Sequence, residues 1–323
     1  MAKQKQIYNQ KLLQSDNMSY EELIREIALA DDRYIVMTSE NRALIKGLPP
    51  ILKDRFIDTG ITEQTMIGAA AGLAMRGRIP VVHALASFLT MRAFEFIRTD
   101  VGIANLPVKL SSYVPGFLSD GNGPTHQAIE DVSIMRGIPG MQVFCPADEQ
   151  DMICALPKIW SSPHPSYVRI NTRKSDFRHN PEFEIGKAEV VSSGTDVTLL
   201  VYGMLFDETL KAKVLLEKEG LSVGLVNLRT LKPIDEKVML DIARKSELLV
   251  TIEDHFLTGG LYSILAELFL KNRISPNVFP VSLGEKWFKP ALLQAVLEHE
   301  GFTGEKIAGK VIAELNKKPL SKA

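Results

Sequence analysis

Glu63 stands alone at the head of a segment, "EQTMIGAAAGLAM" (63–75), built mostly of small residues. Glycine inside a helix costs about 1 kcal/mol relative to alanine, so Gly68 and Gly72 need a reason. Further along, "PGFLSDGNGPTHQ" (115–127) is a glycine-rich loop that ends in His126, and Arg169 and Arg173 follow the run "SYVRIN" (166–171). Phe88, Phe94 and Phe96 fall at helical spacing in "ASFLTMRAFEF" (86–96). A carboxylate and an imidazole can exchange protons with a ligand. Arginines suit an anionic group, and a loop rich in glycine lets backbone approach closely. Each residue also has a plainer reading. Glu63 can be a first-turn acid that favours the helix dipole behind a Thr62 cap. His126 can be a surface histidine, the arginines solvated strand-end charges, and the phenylalanines core.

These residues share a position: each lies just after an apolar run of strand character. The runs are "RYIVMT" (33–38), "RFIDTG" (55–60), "IPVVHAL" (79–85), "VKLSSYV" (108–114), "MQVFCPA" (141–147) and "SYVRIN", with helix-length segments between most of them. That alternation predicts an α/β fold with a parallel sheet covered by helices, and open α/β sheets bind ligands beyond their carboxyl ends. "TRKSDFRHNPEFEIGKAE" (172–189) is polar and irregular, a linker. A second series follows, with strands at 196–203, 222–228 and 247–254 and helices at 206–220 and 259–272. The chain therefore divides into an N-terminal arm (1–20), a first α/β domain (21–180) and a second (181–323), each a mostly parallel sheet covered by helices.

With 323 residues, 45% hydrophobic and 24% charged, the chain has the balance of an ordinary globular protein, and a net charge of -1 leaves no basic footprint for nucleic acid. No apolar run approaches the roughly 18 residues of a membrane span, and the polar "MAKQKQIYNQ" lacks the core of a signal peptide. Cys145 and Cys154 form neither a metal spacing nor a disulfide framework. We read a cytoplasmic protein with reduced thiols, frayed at its N-terminus and at "NKKPLSKA" (316–323), with no metal site of its own.

"FIDTGITEQTMIGAAAGLAMRG", "RAFEFIR", "DGNGPTHQAIEDVSIMRGIPGMQVFCPAD" and "GKAEVV", taken together and in this order, resemble the C-terminal half of transketolase. "RTLKPIDE" (229–236) and "EDHFLTGGLYS" (253–263) resemble the C-terminal domain of the same thiamine-diphosphate-dependent superfamily. The resemblance runs from about residue 31 to the end. It implies a pyrimidine-binding domain followed by a transketolase C-terminal domain. It implies that Glu63 hydrogen-bonds a ring nitrogen of the cofactor's aminopyrimidine, the contact through which the family activates thiamine diphosphate, while an aromatic ring, Phe88 or Phe94, covers that ring. Ile61, Glu40 and Asn41 fall where the family faces the cofactor; Ser39 and Arg42 fall where it faces substrate. His126 matches the histidine that hydrogen-bonds a donor hydroxyl. Arg173, and after it Arg169, match the arginine that takes a substrate phosphate or terminal anion. Asn122 stands where the family's common form has an aspartate that contacts a sugar hydroxyl, which points to a specialised ketose.

Family members hold the diphosphate and a divalent metal, Mg or Ca, with a "GDG" motif and a downstream asparagine, and this sequence contains no "GDG". The resemblance therefore implies one subunit of a split transketolase, active only with an N-terminal partner that carries this motif, and moving a two-carbon ketol unit between sugar phosphates. It also gives the small-residue helix a use: close approach across a two-fold axis, in an α2β2 assembly or a homodimer. Close packing on its own sheet is the alternative. Three competing functions share parts of the pattern: the beta subunit of a 2-oxoacid dehydrogenase, a 1-deoxyxylulose-5-phosphate-synthase-like enzyme, and a regulatory paralogue without chemistry.

Overall fold

A computed structural model of the protein describes residues 18–317. Most of the expected N-terminal arm and the last six residues of the expected C-terminal fray lie outside the described residues. Ser19 caps the helix α1 (Tyr20–Ala30). Its backbone N–H donates to Glu22 Oε2 at 2.8 Å and its Oγ accepts from the Glu22 N–H at 3.3 Å, a reciprocal capping box.

The first half of the chain folds into strands β1 (Tyr34–Thr38), β2 (Phe56–Asp58), β3 (Ile79–Leu85), β4 (Lys109–Tyr113), β5 (Gln142–Phe144) and β6 (Ser166–Arg169). Helices α2 (Glu63–Met75), α3 (Asp131–Arg136) and α4 (Glu149–Ser161) lie between them. The second half gives β7 (Glu189–Ser192), β8 (Val197–Val201), α5 (Phe206–Lys218), β9 (Val223–Asn227), β10 (Thr230–Lys232) and α6 (Glu236–Ala243). It continues with β11 (Leu248–Ile252), α7 (Leu261–Lys271), β12 (Val278–Val281), α8 (Leu293–Glu300) and α9 (Gly304–Leu315). One sheet has the order β10-β5-β6-β4-β3-β1-β2, the other β12-β11-β8-β9-β7. All pairings are parallel except two edges: β10 runs antiparallel to β5, and β7 antiparallel to β9. The expected mostly parallel α/β architecture is therefore observed.

Three strands depart from the sequence reading. β7 begins at the end of the segment read as linker; it is an edge strand with no buried residue. β12 contains Pro280 and pairs only with β11, consistent with the edge positions where proline is tolerated. β10 is three residues long and crosses from the second half of the chain to close the first sheet. The halves thus share a sheet edge, and a single apolar cluster runs from Met37 and Leu110 through Tyr202 to Leu249 and Leu265.

Two buried polar networks join the halves. Arg169 donates from Nε to Asp131 Oδ2 at 3.0 Å and from Nη1 to Asp254 Oδ1 at 2.6 Å. Tyr167 donates its hydroxyl to the same Asp131 oxygen at 2.6 Å, and Asp254 Oδ2 accepts the Phe117 N–H at 3.1 Å. In the second network, His179 lies between Asp148 (3.2 Å) and Glu189 (2.7 Å), while Arg229 bridges Asp151 (2.7 Å) and Glu189 (3.0 Å). Burial alone would depress the His179 pKa, but its bonds to Asp148 and Glu189 raise it to about 10. Burial would raise Glu189; the bond from His179 and the Arg229 charge bring it down to about 2.

Two outcomes follow from these networks. The folded pKa of His179 lies above its unfolded value of 6.5, so its contribution to stability is fully present below 6.5 and is lost as pH rises through about 10. Urea midpoints are expected to fall between pH 7 and pH 10, with a shallower fall in His179→Gln; equal slopes for the two proteins would refute the role. For Arg169→Met, which strands Asp131 and Asp254, we expect a loss of about 3–5 kcal/mol in equilibrium unfolding.

Candidate active site

The first sheet's parallel strands bring the loops after β1, β2, β3, β4 and β6 to one edge. Glu63 opens α2 immediately after the β2 loop. Its side chain is only 3% exposed, and its Oε2 accepts from Arg92 Nη1 at 3.0 Å. As a first-turn acid it stands where the peptide dipoles favour negative charge. The expected Thr62 cap is not formed: Thr62 makes no side-chain capping bond, and its hydroxyl donates to the Thr59 carbonyl at 2.8 Å. Instead, Ser39 Oγ donates to the Gly60 carbonyl (2.8 Å) and accepts the Thr62 N–H (3.1 Å). Ser39, read as substrate-facing, is thus a buried tie between two loops that holds the start of α2.

The packing of α2 answers the question of its small residues. Met66, Ile67, Ala70, Ala71 and Ala74 are buried in the core of the first half. These alanines serve close packing within the chain, the alternative reading. Ala69 and Gly72 face outward, and a Cβ built on Gly72 would meet nothing within 4 Å.

Phe88 and Arg92 lie on the helical segment after β3. The Arg92 guanidinium carbon sits 4.1 Å from the centroid of the Phe88 ring. Phe88 also packs against His126, with ring centroids 5.0 Å apart at 58°. Glu63, Arg92, Phe88 and His126 therefore form one continuous chain of contacts. Arg92 was missed by the sequence reading. The available signal was an arginine four residues after an aromatic in a helical segment, the spacing at which helix side chains meet. The segment forms π-helical turns over Phe88–Arg92, closed by the Ala93 N–H on the Phe88 carbonyl at 3.3 Å.

Phe94, the second aromatic candidate, turns away. It packs against the core cluster and lines a 570 Å³ groove with Thr90, Met91, Ile134 and Ile138. The physical reason is its register: Phe94 falls beyond the π-turn, on the face directed at α3. Arg169 also departs from expectation. At 3% exposure and held by two aspartates, it is an internal strut, and its remaining donor, Nη2, is buried away from the surface a substrate would meet. Arg173 is exposed; its N–H donates to Asn171 Oδ1 at 3.2 Å and its carbonyl accepts from the Glu149 N–H at 2.9 Å.

The remaining candidates occupy the rim. Arg42 is half exposed and pairs with Asp58, its Nε donating at 2.6 Å. Asn41 accepts the Thr38 hydroxyl through its backbone carbonyl at 2.8 Å. Glu40 is exposed at φ +65°, with its N–H on Asp58 Oδ1 at 3.1 Å. Ile61 is 66% exposed, and Asn122 is exposed at the end of the 3₁₀ segment Gly116–Asn122. Val114, just after β4, sits at φ +48°, a costly conformation for a β-branched residue. Strain of that kind gathers at functional sites. Among the described residues, no group of three or more His, Cys, Asp or Glu side chains could hold a metal, and no helix is long and apolar enough to cross a membrane.

The loop that carries His126 is fixed from the second half of the chain. Phe117 packs edge-to-face on Phe288 and Phe302, with centroids 5.2 and 4.8 Å away. Gln127 donates to the Phe288 carbonyl at 2.9 Å. Within the loop, Thr125 Oγ1 lies 2.9 Å from His126 Nδ1, which leaves Nε2 for a ligand. A buried carboxylate, an aromatic face and an imidazole are a donor set suited to a flat, nitrogen-bearing heteroaromatic ring, and in that respect the residues fit the thiamine-type cofactor.

Comparison with known proteins agrees with this architecture. Residues 15–176 match the family model of the transketolase pyrimidine-binding domain, and residues 186–307 match that of the transketolase C-terminal domain. The chain is 38% identical over 259 residues to the 6-deoxy-6-sulfo-D-fructose transketolase subunit SqwH of Clostridium sp. (strain MSTE9), covering 79% of this chain and 80% of that one. It is 35% identical over 266 residues to the 1-deoxy-D-xylulose-5-phosphate synthase of Dictyoglomus thermophilum, spanning 81% of this chain but only 43% of that protein. Among solved structures, a split-gene transketolase described as an inactive beta4 tetramer superposes with a TM-score of 0.82 at 30% identity, covering 95% of this chain and 97% of that one. The chain belongs to the transketolase family, with the pyrimidine-binding domain followed by the C-terminal domain, as in the C-terminal subunit of a split transketolase.

Proposed function

We propose that this chain moves a two-carbon ketol unit from a ketose phosphate to an aldose phosphate. It would bind thiamine diphosphate at an interface with an N-terminal subunit that carries the "GDG" motif and the divalent metal. We assign residues 21–180 to the pyrimidine-binding domain and 181–323 to the C-terminal domain. The observation that carries this reading is the buried Glu63 carboxylate at the head of α2, in one contact chain with Phe88 and His126.

When bound, thiamine diphosphate supplies a nucleophilic carbon and an electron sink for the transferred unit. The chain's own residues then divide the remaining work. Glu63 holds the proton at a ring nitrogen, and its burial keeps water from competing for that bond. Phe88 offers a flat apolar face that sets the ring's plane. His126, anchored through Thr125 and the Phe117 and Gln127 contacts, presents Nε2 to a donor hydroxyl and can pass a proton there. Arg173, on an exposed loop at the same sheet edge, suits the terminal anion of the sugar. Ile61, Glu40, Asn41, Arg42 and Asn122 form the rim across which partner and sugar would approach. Self-association, as a homodimer or within an α2β2 complex in the cytoplasm, would place two such sites in one assembly.

The similarity to 1-deoxy-D-xylulose-5-phosphate synthase supports a second reading, in which a 2-oxoacid is the donor. A substrate panel separates the two. The complex reconstituted with its N-terminal partner is expected to turn over xylulose 5-phosphate or a ketose with another terminal anion, such as 6-deoxy-6-sulfofructose. Consumption of pyruvate with glyceraldehyde 3-phosphate, and of no ketose, would favour the second reading. Glu63→Ala is expected to lower kcat of the complex by about 10²-fold or more while leaving assembly intact. Unchanged turnover in that variant would instead support a regulatory paralogue. The chain assayed alone is expected to be inactive.

A further inference from the structure

We propose that Arg92 is a built-in competitor for the cofactor ring, a side chain that must leave Glu63 and Phe88 before thiamine diphosphate can seat. This inference rests on the cofactor reading above. Its basis is that one guanidinium covers both groups that reading assigns to the ring. Arg92 Nη1 donates to Glu63 Oε2 at 3.0 Å, and the guanidinium carbon lies 4.1 Å from the Phe88 centroid. A guanidinium is planar, cationic and rich in N–H donors, so it stacks on an aromatic face and donates to a carboxylate at once. An aminopyrimidine that stacked on Phe88 and met the Glu63 carboxylate would use the same ring face and the same acid. Two planar groups cannot occupy one face.

The surroundings of Arg92 suit release rather than permanent structure. Its side chain is 41% exposed, whereas Glu63 is 3% exposed. The arginine can therefore swing into solvent at low cost, while the carboxylate needs a partner in place. Arg169 makes the contrast: it is 4% exposed and clamped between Asp131 and Asp254. Arg92 also sits at the end of the π-helical stretch Phe88–Arg92, a local irregularity of the kind that re-aims side chains at functional sites. A buried acid that waits for a ligand without a counter-charge is strongly unfavourable. Arg92 resolves this by pairing with the acid until the ring replaces it.

The test uses the complex reconstituted with its N-terminal partner, with thiamine diphosphate and Mg²⁺ as the probe, and binding read by calorimetry and stopped-flow fluorescence. Arg92→Met is expected to bind thiamine diphosphate about 2- to 5-fold more tightly than wild type, the equivalent of one partly exposed ion pair, with faster association. Arg92→Lys, which keeps the charge but loses the stacking plane, is expected to fall between. Thermal unfolding gives a second readout: Arg92→Met should melt below wild type without cofactor, and the difference should close at saturating thiamine diphosphate. Weaker or unchanged affinity in Arg92→Met, or a melting difference that persists at saturation, would overturn the competitor role while leaving the cofactor reading in place. A wild-type complex that takes up no thiamine diphosphate would overturn both.

Discussion

The arrangement of the molecule depends on one buried cation. Arg169, at the end of β6, joins Asp131 at the head of α3 to Asp254 just after β11, so one guanidinium spans the two halves of the chain. The fit around it is tight. Gly116 lies at φ +55°, and a Cβ there would fall 1.8 Å from Asp254 Oδ2 and 2.4 Å from Arg169 Nη2. Asp254 also takes the Phe117 N–H, so the bridge fixes the start of the loop that ends at His126. Removing any one partner from charges this deep would leave an uncompensated buried charge. The three residues and the glycine beside them therefore act as one unit.

From this follows a role for the second half of the chain. Its sheet is distant in sequence from Glu63 and His126, yet the His126 loop rests on it through Phe117, Gln127 and Phe288. β10 closes the first sheet from the same side, and the His179 and Arg229 network holds the linker down beside α4. The first half supplies the strand ends that carry the candidate site; the second half holds the His126 loop in place. A rigid scaffold beneath loop-borne polar groups is what precise positioning requires.

Much of the fold was legible because parallel strands buried on both faces read as continuous apolar runs. The long runs at 34–38, 79–85, 109–113, 197–201, 223–227 and 248–252 all became strands. What escaped were short or edge strands, too short or too irregular to read as apolar runs: β7 with no buried residue, β10 with three residues and β12 with an internal proline. At the site, the residues adjacent to strand ends were legible by type. Their orientation was not. Phe88 and Phe94 are equally aromatic, and only the π-turn between them sends one toward His126 and the other into the core.

The sequence alone determined the α/β class, the two-part organisation and the identity of the loop residues, because these follow from local hydrophobic period and from residue type. Tertiary structure decided which charges are free and which are spoken for. Arg169 and Arg173 are four residues apart and chemically identical, but one is buried between two aspartates and the other is exposed. It also brought Arg92 onto Glu63 across 29 residues of sequence. The pairing of a buried charge is set by what the folded chain places within about 3 Å of it, and that distance is a property of packing that no linear spacing records.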